Sequence, residues 1–199
     1  ADIRDTLMEY ADRIIFVFAG GFVIALALEK WNLHRRFALL ILSKSATGPS
    51  GVVLGILITT YLLSMWISNT ATVLMLLPAV LAITKETTDF FTDEKGKKKF
   101  TTAVLIGLAY AATIGGMATL VGTPTNMIFY AKMVEEFGES SGVTFGSWFL
   151  FAGPLSFVLL LVCYLILWFF FLRKLGPVKI NRQQFISDYR SLGKWTREE

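Results

Sequence analysis

The sequence predicts an all-α polytopic membrane protein: transmembrane helices with one re-entrant helical hairpin and one discontinuous helix. Three observations carry this reading. The 199 residues are 54% hydrophobic, above the roughly 45–50% of soluble domains, and mean hydropathy is +0.59. The apolar residues fall in blocks, and the charges gather between the blocks. Finally, residues 45–84 contain no Asp, Glu, Lys or Arg. A simple span takes ~20 residues, so that stretch holds one long or two short membrane helices.

The elements follow in order. Residues 10–28 form a transmembrane helix. Residues 31–45 mix His34, Arg35 and Arg36 with Phe37, Leu39, Leu40 and Leu42, the pattern of an amphipathic helix lying against lipid in the interface. Residues 51–84 form the hairpin. Its arms, 51–66 and 71–84, are each short for a crossing, and Ser68-Asn69-Thr70 stands between them. A polar turn at membrane depth is tolerated only where protein or a water-filled cavity covers it. Residues 100–131 form the discontinuous helix, interrupted at Gly115-Gly116 and again at 122–126. Pro124 donates no backbone hydrogen bond and disfavours helix at the residue before it. Two half-helices are expected, the first ending near Gly115-Gly116 and the second starting near Asn126. Residues 147–173 form a further transmembrane helix, and 174–199 a polar cytoplasmic tail or linker. Gly20, Gly21, Gly55 and Gly107 read as helix-packing positions. The chain opens on Ala1 without a cleavable signal pattern, so it reads as a piece of something longer.

Charge placement orients these elements. Lys30, Arg35, Arg36 and Lys44 precede the hairpin, and Lys85, Lys95, Lys97, Lys98 and Lys99 follow it. Arg173, Lys174 and Lys179 open the tail. By contrast, 132–146 carries a single Lys against Glu135, Glu136 and Glu139. Basic loops stay cytoplasmic, so the acidic loop faces the other side. The lysine run is a cytoplasmic loop rather than a nucleic-acid site. The lone Cys163 excludes an intrachain disulfide and a zinc cluster. No nucleophile–base pair is visible, so the chain does not read as an enzyme.

The chemistry lies in the polar turns. Ser, Asn and Thr cap helix N-termini because their side-chain oxygens accept from orphan N–H groups. A helix N-terminus attracts anions without any Lys or Arg. The end of the preceding arm offers carbonyls, a negative pole for a cation. The broken helix repeats that polarity, with Thr119, Thr123, Thr125 and Asn126 adding hydroxyls and an amide. Paired discontinuous helices are the pattern of secondary transporters. The apolar blocks 14–28, 51–84, 100–131 and 148–172 hold no Asp, Glu, Lys, Arg or His. Proton coupling normally uses an intramembrane carboxylate or histidine, so a metal cation is the expected coupling ion. A bound anion also lacks a basic partner here, and each helix dipole supplies only about half a charge.

At these residues the chain resembles the divalent anion/sodium symporter family, carriers of dicarboxylates, citrate and sulfate. The matching runs are Glu29-Lys30-Trp31-Asn32-Leu33-His34-Arg35-Arg36, Leu63-Ser64-Met65-Trp66-Ile67-Ser68-Asn69-Thr70-Ala71-Thr72, and Gly115-Gly116-Met117-Ala118-Thr119-Leu120-Val121-Gly122-Thr123-Pro124-Thr125-Asn126. The likeness covers residues 10–180. It implies an elevator-type homodimer in which each protomer holds two inverted repeats, and Na⁺ as the co-transported ion with no organic cofactor. It further implies that Ser68, Asn69, Thr70 and Thr123 meet the substrate, a C4-dicarboxylate or citrate ahead of sulfate. Thr125 is counted with them, although the family usually shows another residue there. Ser64, Ser68, Asn69 and the backbone near Gly122 would hold Na⁺, with Asn126 beside them. A second Ser-Asn-Thr does not occur in the chain, so the expectation is one half of an inverted-repeat transporter, holding one half-site. The alternatives are a channel-like pore built on re-entrant half-helices, or a non-transporting fragment.

The charge pattern sets a test of sidedness. Cysteines placed at Lys97 and Ser140, in a background lacking Cys163, should be labelled by an impermeant maleimide from opposite sides. Labelling of both from one side would refute the assignment.

Overall fold

The computed structural model describes residues 48–138, 142–175 and 182–193, and scattered positions between 16 and 41. Among the described residues every regular element is helical. The expected 10–28 helix is described only at isolated helical positions, of which Phe16, Val23 and Leu26 are exposed. Residues 10–15, His34, Arg35 and Glu139 lie outside the described residues.

Helix α1, Pro49–Ser64, starts on a proline and is apolar through its length. Proline suits this first position because the missing N–H is an orphan there anyway. Residues 65–68 turn the chain, and α2, Asn69–Thr88, returns antiparallel. Ser68 is the N-cap, its Oγ accepting from Ala71 N at 3.3 Å. Four buried threonines in the two arms, Thr59, Thr60, Thr84 and Thr87, donate to carbonyls four residues back at 2.6–2.8 Å. Their hydroxyls are thus satisfied inside an apolar environment.

The second arm is longer than the expected 71–84. Lys85 in its last turn favours the negative helix end, and the helix carries on to Thr88. At 20 residues α2 is long and apolar enough to cross a membrane, as are α3, Glu94–Met117, and the continuous stretch Phe145–Leu172. The 16 residues of α1 reach only about 24 Å.

Helix α3 begins six residues before the apolar block, because Asp93 caps it by accepting from Gly96 N at 2.8 Å. It ends at Met117, and α4, Pro124–Phe137, follows after an unwound segment. Gly138, at φ 60°, stops α4. Helix α5, Phe145–Leu167, opens on a reciprocal Thr144–Ser147 capping box and runs into a π-helical stretch, Trp168–Leu172. The tail is not wholly irregular: α6 spans Arg182–Ser191.

Helix α3 is the hub, touching α1, α2, α5 and the π stretch. Its buried side chains, Phe100, Ala103, Val104, Leu108 and Ala111, meet Val52, Val53, Ile56 and Leu57 of α1 and Leu76 and Val80 of α2. Much of α5 is apolar and exposed, including Leu150, Phe151, Phe157 and Leu165, the pattern of a helix facing hydrocarbon. The sequence places Arg36 on a lipid-facing interfacial helix. In the structure it is 3% exposed, and its guanidinium donates to the carbonyls of Leu192 and Gly193, both at 3.0 Å. The carbonyls left over at the end of α6 account for this: they are orphans that a buried guanidinium fork can satisfy.

Helices α1 and α3 approach through Gly115. A Cβ there would lie 2.4 Å from the Tyr61 carbonyl oxygen and 3.0 Å from Tyr61 Cα. Backbone cannot yield as a side chain can, and overpacking of this kind costs about 1–3 kcal/mol or more. Gly115→Val should therefore lower the thermal midpoint in detergent, while Gly146→Ala, where the nearest contact is 3.9 Å, should leave it unchanged. Equal midpoints would remove the packing account.

Candidate functional site

The hairpin tip and the break between α3 and α4 form one cluster. From the tip, Ser64 Oγ lies 2.7 Å from the carbonyl of Ala112 in α3 and 2.9 Å from Asn69 Oδ1. These are three oxygens with a single proton among them, since a hydroxyl donates once and both neighbours only accept. Ser64 is fully buried. An arrangement of oxygens short of protons is a ready partner for a hard cation, which oxygen donors suit.

Thr119, also fully buried, joins the two turns. Its Oγ1 donates to the carbonyl of Met65 at 2.5 Å and accepts from Gly122 N at 3.1 Å. Gly122 is needed here: a Cβ would sit 2.6 Å from the Gly116 carbonyl oxygen. A Cβ on Gly116 would lie 2.2 Å from Asn69 Oδ1. Both glycines allow the break to close over the tip.

The end of α3 is not the set of free carbonyls that the sequence suggests. Asn126 gives both amide protons to it, to Gly116 O at 3.0 Å and Thr119 O at 2.8 Å. Trp148 of α5 donates from Nε1 to Met117 O at 3.2 Å. Helix ends leave carbonyls that must be satisfied, and in this fold side chains from α4 and α5 satisfy them. The second half-helix also starts at Pro124 rather than Asn126, with Thr123 extended before it.

The other expected residues are distributed unevenly. Ser68 is half-buried and engaged in its cap. Asn69 and Thr70 line an open cleft of about 300 Å³, with Val73, Leu74, Ala109, Ala112 and Thr113. Thr70 and Thr125 are exposed, and Thr123 is half-buried. Ser64, Asn69, Gly122 and Asn126 are thus gathered round the break, whereas Thr125, in the first turn of α4, is exposed. Roles for Ala112 O and Trp148 have no sequence signal, because one is backbone and the other an ordinary interfacial aromatic. Thr72 is fully buried, and its Oγ1 has no hydrogen-bond partner among the described residues.

A hairpin turn and one interrupted helix, meeting at neutral oxygens inside an apolar helical body, have the build of membrane transport proteins with discontinuous helices. The family follows from comparison with known proteins. The citrate transporter family model matches residues 2–196, and the chain belongs to that family, whose members are transporters rather than enzymes. Over 162 residues it is 40% identical to the sodium-dependent dicarboxylate transporter SdcS of Staphylococcus aureus strain NCTC 8325, with the same figures for strains COL and N315. The match covers 80% of this chain and 31% of each relative, so the chain spans about a third of the length of these proteins.

Thr119 gives the cluster its simplest test. Thr119→Val keeps the shape but strands the Met65 carbonyl and leaves the Gly122 N–H only its long bond to Thr119 O at 3.4 Å, at a cost of about 1–3 kcal/mol. The thermal midpoint should fall, amide exchange at 118–123 should quicken, and Thr119→Ser should restore both. A Val variant as stable as the parent would show that the tip and break are held together by other means.

Proposed function

We propose that this chain supplies one half-site of a sodium-coupled symporter for a divalent anion, a C4-dicarboxylate or citrate ahead of sulfate. The observation that carries the proposal is the Ser64–Asn69–Ala112 cluster, three oxygens with one proton between them. When Na⁺ binds, the Ser64 proton stays with the Ala112 carbonyl. A lone pair of Ser64 Oγ and Asn69 Oδ1 then turn to the ion. Gly122 and Asn126 act by shaping the carbonyl side of the site, and Ser68 by fixing the start of α2.

The anion lies in the cleft beside Asn69 and Thr70, at the positive end of α2, with Thr123 and Thr125 at the start of α4 as further contacts. The Asn69 amide serves both ligands, its oxygen toward Na⁺ and its N–H₂ toward a carboxylate. The tip residues 64–72 carry no charged side chain, so an anion there depends on bound Na⁺ for most of its charge balance. Coupling then follows from electrostatics: each ligand raises the affinity of the other. The family match and the sodium-dependent dicarboxylate transporter relatives support this reading. The complete carrier is proposed to pair this chain with a second inverted repeat, to enclose the hairpin as a re-entrant element, and to work as a lipid-embedded elevator-type homodimer.

Binding should be measured by calorimetry on the complete carrier, in Na⁺ and in choline. Succinate or citrate should bind only in Na⁺, and the effect must be reciprocal, typically about 1–3 kcal/mol of coupling. Asn69→Ala should weaken both ligands by roughly tenfold or more at normal expression. Equal affinity in the two salts, or non-saturating flux indifferent to Na⁺ as in a pore, would overturn the proposal.

A further inference from the structure

Helix α5 supplies none of the proposed ligand residues, yet it reaches toward both halves of the site. Its buried side includes the row Ala152, Ser156 and Leu160, with Gly153 and Leu167 beside it, and Trp148 is the preceding member of the row at the same four-residue spacing. Along this otherwise apolar row, two side chains make polar contacts to other elements. Trp148 Nε1 holds the Met117 carbonyl at the end of α3. Ser156 Oγ lies 2.8 Å from Tyr61 OH, inside the core. Tyr61 is one turn ahead of Ser64 on α1, and its backbone is the surface against which Gly115 packs. The two contacts stand about 12 Å apart along α5.

One contact therefore fixes the carbonyl end of α3, next to Gly116, and the other fixes the last turn of α1, which carries Ser64. Ring packing reinforces the first, with Trp148 and Phe129 of α4 tilted at a centroid distance of 5.8 Å. In an apolar surround a hydrogen bond of this kind adds little on average to helix association. Packing of α5 does not need them. What they add is register: they select one height and rotation of α5 relative to both α1 and α3.

From this we infer that α5 is a positioning helix for the ion site, with Trp148 and the Tyr61–Ser156 pair setting the separation between Ser64 on one side and the α3 carbonyls on the other. The inference rests on the sodium-coupled reading. It predicts an effect on Na⁺ affinity from residues that never meet Na⁺.

The test uses the complete carrier in proteoliposomes, with Na⁺ activation of dicarboxylate uptake normalised to folded protein by gel filtration in detergent. Trp148→Phe, Tyr61→Phe and Ser156→Ala should each raise the Na⁺ concentration for half-maximal uptake by about three- to tenfold, with maximal uptake per folded carrier retained. Tyr61→Phe removes both contacts of the Tyr61 hydroxyl with α5, to Ser156 Oγ and to the Gly153 carbonyl at 3.5 Å, so adding Ser156→Ala to it should make it no worse, whereas Ser156→Ala alone leaves Tyr61 the Gly153 carbonyl and should be the milder of the two. Trp148→Phe should add to them as an independent contact. Ser156→Ala removes a single oxygen from a helix interior, and it carries the test if the aromatic variant does not fold. Na⁺ curves that superimpose on wild type, with only less folded protein, would reduce these residues to structural packing and overturn the inference. A wild-type carrier whose uptake ignores Na⁺ would overturn the sodium-coupled reading, and this inference with it.

Discussion

The close approach of the hairpin tip to the end of α3 is made by backbone. At Gly115, Gly116 and Gly122 a single added carbon would collide with the Tyr61 carbonyl, the Asn69 amide and the Gly116 carbonyl respectively. With all three as glycine, two unwound segments more than fifty residues apart become one object. The polar contacts then finish what the approach permits. Ser64 reaches Ala112, and Thr119 reaches Met65, each from a side chain of one interruption to a carbonyl of, or beside, the other. Had either turn been wider, its backbone groups would face hydrocarbon unpaired, at several kcal/mol each.

A site made this way is neutral, and neutrality governs its chemistry. Charged side chains at membrane depth are costly and invite permanent pairing. Amide, hydroxyl and carbonyl oxygens can be left short of protons at much smaller cost. They also release a cation as readily as they take it, which a carrier requires and a structural metal site does not. The over-subscribed Ser64 hydroxyl shows this property: it and its two neighbours hold more oxygen than their one proton can satisfy.

Much of this was legible in the chain. Periodicity and charge located the apolar blocks, and Ser68 as a cap follows from its place between an apolar run and a helix. Pro124 announced the second half-helix, though it begins the helix rather than preceding it, since proline's missing N–H does no harm at a first position. Other features left no trace. The capping of α3 depends on Asn126 and Trp148 returning from later helices. The burial of Arg36 depends on a tail helix more than 140 residues away. Such contacts are products of tertiary packing, and no local pattern encodes them. The length of α2 was misjudged for a related reason: Lys85 looked like the edge of the membrane but is the basic end of a helix that continues.

The bond from Arg36 to the end of α6 carries a rule of counting. Residues in contact share one side of a bilayer, so the chain between 36 and 193 must traverse the membrane an even number of times. The hairpin contributes an even number whether it dips or spans, because it leaves where it enters. The continuous stretch Phe145–Leu172 is long and apolar enough for one. The segment from α3 through α4 must then contribute an odd number. Helix α3 is by itself long and apolar enough to make that traverse.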